Sequence, residues 1–300
     1  MERARESEVC SAGEHVGGAQ GAKKLGYLPW AHLRLPPFPH VAMRVLQLVH
    51  REDVQLTQIS ELIASDPAFA SEVLTVANSP LYALRYSAHS ILQAVSILGG
   101  NALQGMCVTV GVRAYLGKSM SHPSMKILWR HNLACAIVAQ QLAESGSIDR
   151  DTAYTAGILH DIGRAALSVI QPREYSKLLA AHKGPAMGLL ESERELFGVD
   201  HCEAGMQLIA DWKLPPEFEA VIAGHHDPIV PGAEFNLGEL VKVSCAISDA
   251  AGFAAAPGCE PIAYDELRAG LPHEVSAQLD PDPTVLAEKI GEAIRHIETV

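Results

Sequence analysis

The sequence is most informative at first through what it lacks. Its six cysteines (Cys10, Cys107, Cys135, Cys202, Cys245 and Cys259) form no CxxC pair and no tight cluster, which argues against a disulfide framework. Four of them fall in apolar helical patterns and read as small core residues in a reducing compartment. No run of eighteen apolar residues occurs, and the N-terminal MERARESEVCSAGEHVGGAQGAKK has no apolar signal region. The expectation is a soluble, cytoplasmic chain without a membrane partner. Basic side chains are also scarce, 23 against 35 acidic ones, leaving a net charge of -12. Nucleic-acid affinity depends on Lys and Arg neutralising phosphates, so nucleic acid is a poor candidate partner. Strand-like alternation is missing as well, most plainly from Val41 to Gly117.

What is present is helical. With 48% hydrophobic residues over 300 positions there is ample material for a core. Residues 1–25 are charged, then rich in Gly and Ala, and read as a flexible tail. Leu28 to His40 carries four prolines and should lie extended against whatever follows. Punctuation then marks short helices. Asp66-Pro67 starts one that turns Phe69, Val73, Leu74 and Val76 inward, Ser90 to Gln93 has capping-box form, and Gly99-Gly100 is a stop. A longer stripe, Ile127, Leu128, His131, Ala134, Cys135, Val138 and Leu142, predicts a helix from about Pro123 to Glu144. Asp200 and Glu203 predict a second capping box. Leu237, Leu240, Val241, Ser244, Ile247 and Ser248 place Asp249 near the end of an apolar helix. The fold class is all-α, about a dozen helices, with a division near Gly117 to Pro123. The parts are 26–118, 119–255 and a C-terminal helical part, 256–300.

The central stretch is Ala153 to Leu167, AYTAGILHDIGRAAL, whose spacing predicts one buried helix. It sets His160 and Asp161 side by side, where a buried charge needs a partner. A divalent metal ion is one economical partner, because imidazole and carboxylate together suit iron, manganese, zinc or nickel. The doublet alone is weak, since His226-Asp227 repeats it. Its company is more telling: His131 sits in an apolar stripe, His201 at a helix start, His225 and His226 at a helix end, and Asp249 at another. Each has a plainer explanation. His131 could be a core histidine bonded to a carbonyl, His225 to Asp227 a polar helix end, and Asp249 solvated surface.

In this order the residues resemble the HD superfamily of metal-dependent phosphohydrolases, which implies His131, His160, Asp161 and Asp249 as ligands of one ion. His201, His225 and His226 stand where several HD families hold a second ion, with Asp161 bridging. More closely, the chain resembles HDOD-domain proteins over roughly residues 26–290. The resemblance is carried by Leu35-Pro36, Pro39, Asp66-Pro67, Asn78-Ser79, AVSILG (94–99), Trp129, GILHDIGR (157–164), His201 to Gly205, Trp212, Pro215 and His225-His226. It implies a helical HDOD bundle with an HD-type helical subdomain. It further implies a bacterial signalling or regulatory protein with a protein partner, although most HDOD proteins lack part of the metal set that this sequence keeps. The alternative it implies is a metal-dependent phosphohydrolase or phosphodiesterase acting on a nucleotide or related phosphate ester. Asp161 and Arg164 would then be the catalytic pair, with Arg164 gripping phosphate. The sequence departs from the HD-GYP phosphodiesterases, reading DPIVPGAE after His226 and Arg164 where those prefer lysine.

Overall fold

Four helices open the described part of the chain: α1 (His40–Val49), α2 (Leu56–Ala64), α3 (Pro67–Ala77) and α4 (Ile91–Leu116). A 3-10 segment, Gly117–Ser121, leads to α5 (Pro123–Ala143), α6 (Arg150–Leu159), α7 (Ile162–Ile170) and α8 (Pro172–Ala181). Then come α9 (Ala186–Phe197), α10 (His201–Trp212), α11 (Glu217–Gly224) and α12 (Leu237–Ser248), the last running into a π turn, Asp249–Phe253. The chain ends in α13 (Tyr264–Gly270), α14 (His273–Ser276) and α15 (Pro283–Glu298). This computed structural model describes residues 37–298 except 50, 52, 146–147, 184–185, 231–234, 257 and 259–260. Among the described residues there is no strand. The tail expected at 1–25, most of the Pro-rich segment, Cys10 and Cys259 lie outside them.

Local chemistry explains the boundaries. Asp66 Oδ1 accepts from the amides of Ala68 and Phe69, both at 3.1 Å, and Pro67 occupies the first helical position. Asn78 ties down the loop that follows: its amide donates to the Ala88 carbonyl and its oxygen accepts from the Ala88 amide. Ser90 caps α4 by accepting from Gln93 N, but Gln93 reaches back to the amide of His89, so the expected reciprocal box is displaced by one residue. At Gly99 the backbone leaves helical geometry with φ of +85°, a value that favours glycine, so the expected stop is a one-residue break inside α4. Asp200 and Glu203 form the full box that their spacing predicts.

The buried apolar residues form one continuous cluster from Phe38 to Ile297. Phe38, in the described part of the Pro-rich segment, has its ring centre 4.2 Å from that of Trp212 and fills the space beside Gly111. By length and composition α4 could cross a membrane, yet 67% of its most apolar window is buried against α1, α3 and α6. Helices α5, α6 and α12 pack together at the centre, and α10 lies on α7. Along the predicted α5 stripe, Ile127 faces outward while Leu128 to Leu142 face in.

One expectation is overturned. The stretch 153–167 is not a single helix: α6 ends at Leu159, α7 begins at Ile162, and His160 and Asp161 form the turn between them. Apolar periodicity continues across the break and hides it. The break is what lets the doublet act together, since neighbouring residues on an unbroken helix point about 100° apart.

Candidate metal centre

Two glycines of GILHDIGR bring the neighbouring helices onto the doublet. At Gly157 a Cβ would stand 2.5 Å from the Ala136 Cα, so α6 and α5 touch backbone to backbone, one turn beyond His131. At Gly163 it would stand 1.8 Å from the His201 carbonyl oxygen and 2.8 Å from the Gly205 amide nitrogen, so α7 rests on the first turn of α10. Both neighbours are backbone and cannot rotate aside. Gly163→Ala is therefore expected to cost about 3 kcal/mol or more by forcing α10 off α7. A urea unfolding midpoint unchanged from wild type would contradict this packing.

The predicted residues converge in the space so formed, most of them fully buried. His131 Nε2 lies 3.2 Å from His160 Nε2, and Asp161 Oδ2 lies 3.8 and 3.7 Å from these two nitrogens. On the other side of the same carboxylate, Oδ1 lies 3.2 Å from His225 Nε2 and 3.5 Å from His201 Nε2. His201 Nε2 in turn lies 3.4 Å from His225 Nε2 and 2.9 Å from His226 Nε2. Asp161 thus divides its two oxygens between two groups of imidazoles. Arg164 Nε is 2.9 Å from Asp161 Oδ1, and its Nη2 is 3.2 Å from His226 Nε2. Asp249 stands apart from the convergence. Its Oδ1 is 3.3 Å from the outer nitrogen of His131, Nδ1, and its side chain is 30% exposed.

The outer nitrogens fix the tautomers. His131 Nδ1 faces the Phe253 carbonyl at 2.9 Å, His160 Nδ1 the Gly157 carbonyl at 2.7 Å, and His225 Nδ1 the Ile222 carbonyl at 2.8 Å. His201 Nδ1 faces Glu193 Oε2 at 2.6 Å. These oxygens only accept, so each Nδ1 carries the hydrogen and each Nε2 turns a lone pair inward. Lone pairs that converge in this way repel unless a cation or a proton lies among them.

Electrostatics sets which groups are charged. Burial works against the Asp161 carboxylate, but Arg164 first and then His160 hold its pKa well below the usual range. Burial drives His160 down to about 3 and lowers His225 and His226 too, helped by their neighbouring imidazoles. His131 goes the other way: burial opposes its charge, but Asp249 and Asp161 outweigh it and raise the pKa. In the metal-free protein a proton on His131 can therefore fill the gap to His160. The signs yield a test. Three histidines whose folded pKa is depressed contribute stability that is present above the unfolded value of about 6.5 and lost as pH falls toward about 3. His131, raised, contributes the opposite and offsets part of this. Chelator-treated protein should unfold at lower urea at about pH 5 than at about pH 7.5. An unchanged midpoint would mean these rings are solvated.

Three residues outside the predicted set complete the surroundings: Glu193, Cys245 and Cys202, whose sulfur lies within 4.8 Å of ring nitrogens of His201, His225 and His226. Glu193, fully buried, accepts from the backbone amide of His201, from its Nδ1 and from the Tyr175 hydroxyl. Its signal was available, since it occupies the apolar face of α9 with Leu189, Leu190, Leu196 and Phe197. Cys245 puts its Sγ 3.6 Å from His131 Nε2.

Comparison with known proteins agrees with this architecture. An uncharacterized protein of Treponema pallidum (strain Nichols) is 26% identical over 197 residues, 64% of this chain and 38% of that protein. The match therefore spans well under half of the curated relative. A crystal structure named "Putative phosphohydrolase" from Shewanella amazonensis SB2B is 25% identical, with TM-score 0.65 over 88% of this chain and 94% of that one. Another, named "Putative signal transduction protein" from Marinobacter aquaeolei VT8, shares the fold at 21% identity and TM-score 0.60, over 89% of this chain and 61% of that one. A family model of the HDOD domain matches residues 35–228, which takes in α1 to α11 and every histidine of the convergence, and the chain belongs to the HDOD family.

Proposed function

We propose that this is a regulatory HDOD protein whose buried histidines and Asp161 hold divalent transition metal, and that it passes its state to a protein partner in a cytoplasmic signalling pathway. The observation that carries the metal reading is the division of Asp161 between two groups of inward lone pairs, Oδ2 toward His131 and His160, Oδ1 toward His201 and His225. Imidazole and carboxylate donors suit iron, manganese, nickel or zinc. When bound, such an ion supplies positive charge to these lone pairs and Lewis acidity toward any oxygen that reaches it.

The two groups differ in their neighbours. Arg164 stands against the His226 side and disfavours a second cation there, whereas His131 and His160 have no such neighbour within bonding distance. One ion should bind first beside His131 and His160, and a second, weaker one beside His201, His225 and His226.

Arg164 also decides between regulation and hydrolysis. The phosphate-gripping role needs a guanidinium open to ligand, but this one is 3% exposed and faces Asp161 and His226, although its buried Nη1 has no hydrogen-bond partner. Burial of the whole set points the same way. The second reading, a metallo-phosphohydrolase acting on a small phosphorylated ligand, is favoured by the 25% identity to the Shewanella protein named "Putative phosphohydrolase". Elemental analysis of the purified chain, followed by release of nitrophenol from bis-p-nitrophenyl phosphate by wild type and Asp161→Ala, separates them. Bound metal without metal-dependent release is the expected result. Release abolished by Asp161→Ala would establish the enzyme, and absence of metal in both would remove the centre.

A further inference from the structure

The resemblance implies Asp249 as the fourth ligand of the first ion, yet the carboxylate lies behind His131, on its protonated nitrogen. Asp249 keeps helical φ and ψ (-62°, -46°) and its amide bonds the Cys245 carbonyl one turn earlier, so the two side chains share a face of the helix and flank the His131 ring, Cys245 at Nε2 toward the centre and Asp249 at Nδ1. Cys245 Sγ, His131 Nε2 and His160 Nε2 all lie within 4.8 Å of one another.

The spacing can be tested against a coordination shell. Zinc binds imidazole nitrogen at about 2.0–2.1 Å and thiolate sulfur at about 2.3 Å, and tetrahedral angles then require about 3.3 Å between two nitrogens and about 3.6 Å between nitrogen and sulfur. The two imidazole nitrogens stand 3.2 Å apart, and Cys245 Sγ stands 3.6 Å from His131 Nε2. Asp161 Oδ2, at 3.8 and 3.7 Å from the nitrogens, is within about half an ångström of closing the fourth corner.

Resting on the metal reading above, we infer that Cys245 is a ligand of the first ion, with His131, His160 and Asp161, and that Asp249 is a positioning residue that orients the His131 ring from behind. Coordination converts the Cys245 thiol to thiolate, its proton passing to solvent. A thiolate makes the site soft, so zinc or ferrous iron is preferred over manganese or magnesium. Nothing in the spacing of the six cysteines announces this ligand, because its partners come from other helices.

The test uses the full chain, stripped with chelator and reloaded with cobalt(II). Wild type should show the near-ultraviolet thiolate-to-cobalt charge-transfer band. Cys245→Ser should lose that band while retaining bound cobalt, whereas Asp249→Asn and Cys202→Ser should keep it. X-ray absorption of the zinc-loaded wild type needs no substitution, and should show one sulfur neighbour at about 2.3 Å among lighter atoms. Cobalt bound without the band, a band that survives in Cys245→Ser or vanishes in Cys202→Ser, or a shell of nitrogen and oxygen alone would each overturn the Cys245 assignment while leaving a metal centre. A wild type that binds neither cobalt nor zinc would overturn both.

Discussion

Replacing Asp161 with alanine is expected to empty the centre of metal and to destabilise the protein even when no metal is present. The second effect follows from Arg164. Asp161 is 1% exposed and Arg164 3% exposed, with Nε 2.9 Å from the carboxylate. Each holds the other in its charged form, for the carboxylate raises the guanidinium pKa against burial just as Arg164 lowers that of Asp161. Deleting the carboxylate strands a buried guanidinium, and breaking such a pair from one side costs about 3–5 kcal/mol. Deleting both charges is milder, so Asp161→Ala combined with Arg164→Met should recover a large part of that loss. Urea unfolding in chelator, run on the two single variants and the double, gives the coupling directly. An Asp161→Ala protein within about 1 kcal/mol of wild type would mean that water reaches Arg164, and the argument against a phosphate-gripping role would fall with it.

The sequence made visible those features whose cause is local. Asp66 and Asp200 cap where their spacing requires, Gly99 breaks α4, and the all-α class follows from periodicity alone. The convergence of His131, His160, Asp161, His201, His225 and His226 was legible as a family pattern, because polar residues on apolar faces are costly unless they meet. The structure brings these six within reach of one another and leaves Asp249 behind His131. Other features have non-local causes. The turn at His160-Asp161 is enforced by backbone contact at Gly157 and Gly163, and neither contact leaves a mark on apolar spacing. Cys245 and Asp249 are four residues apart and share one face of the helix, and only the place of the His131 ring, brought from α5, decides which of them meets its inner nitrogen. Arg164 lies 2.9 Å from the carboxylate three residues earlier, a pairing that depends on the turn at His160-Asp161 and that helical spacing does not announce.

Glu193→Ala should be among the most damaging single changes outside the histidines. Three donors end on this carboxylate at 2.6–2.9 Å, the His201 amide, His201 Nδ1 and the Tyr175 hydroxyl, and no water reaches it at 0% exposure. Each buried donor left unmatched costs about 1–3 kcal/mol, so the expected loss is at least about 3 kcal/mol, against about 1 kcal/mol for Tyr175→Phe. Glu193→Gln separates shape from charge. The amide oxygen can still accept from His201, but the carboxylate charge, which persists because His201 and then Arg164 outweigh its burial, is gone. A carboxylate behind a ligating imidazole raises the basicity of the inward nitrogen, and its loss typically weakens metal binding 10- to 100-fold. Glu193→Gln should therefore remain much closer to wild type in urea than Glu193→Ala while losing about that factor for the second equivalent of zinc, read by competition with a chromophoric chelator. If its zinc affinity matched wild type, Glu193 would be a bridge between α8, α9 and α10 with no hold on the centre, and His201 would lose its claim to be a ligand.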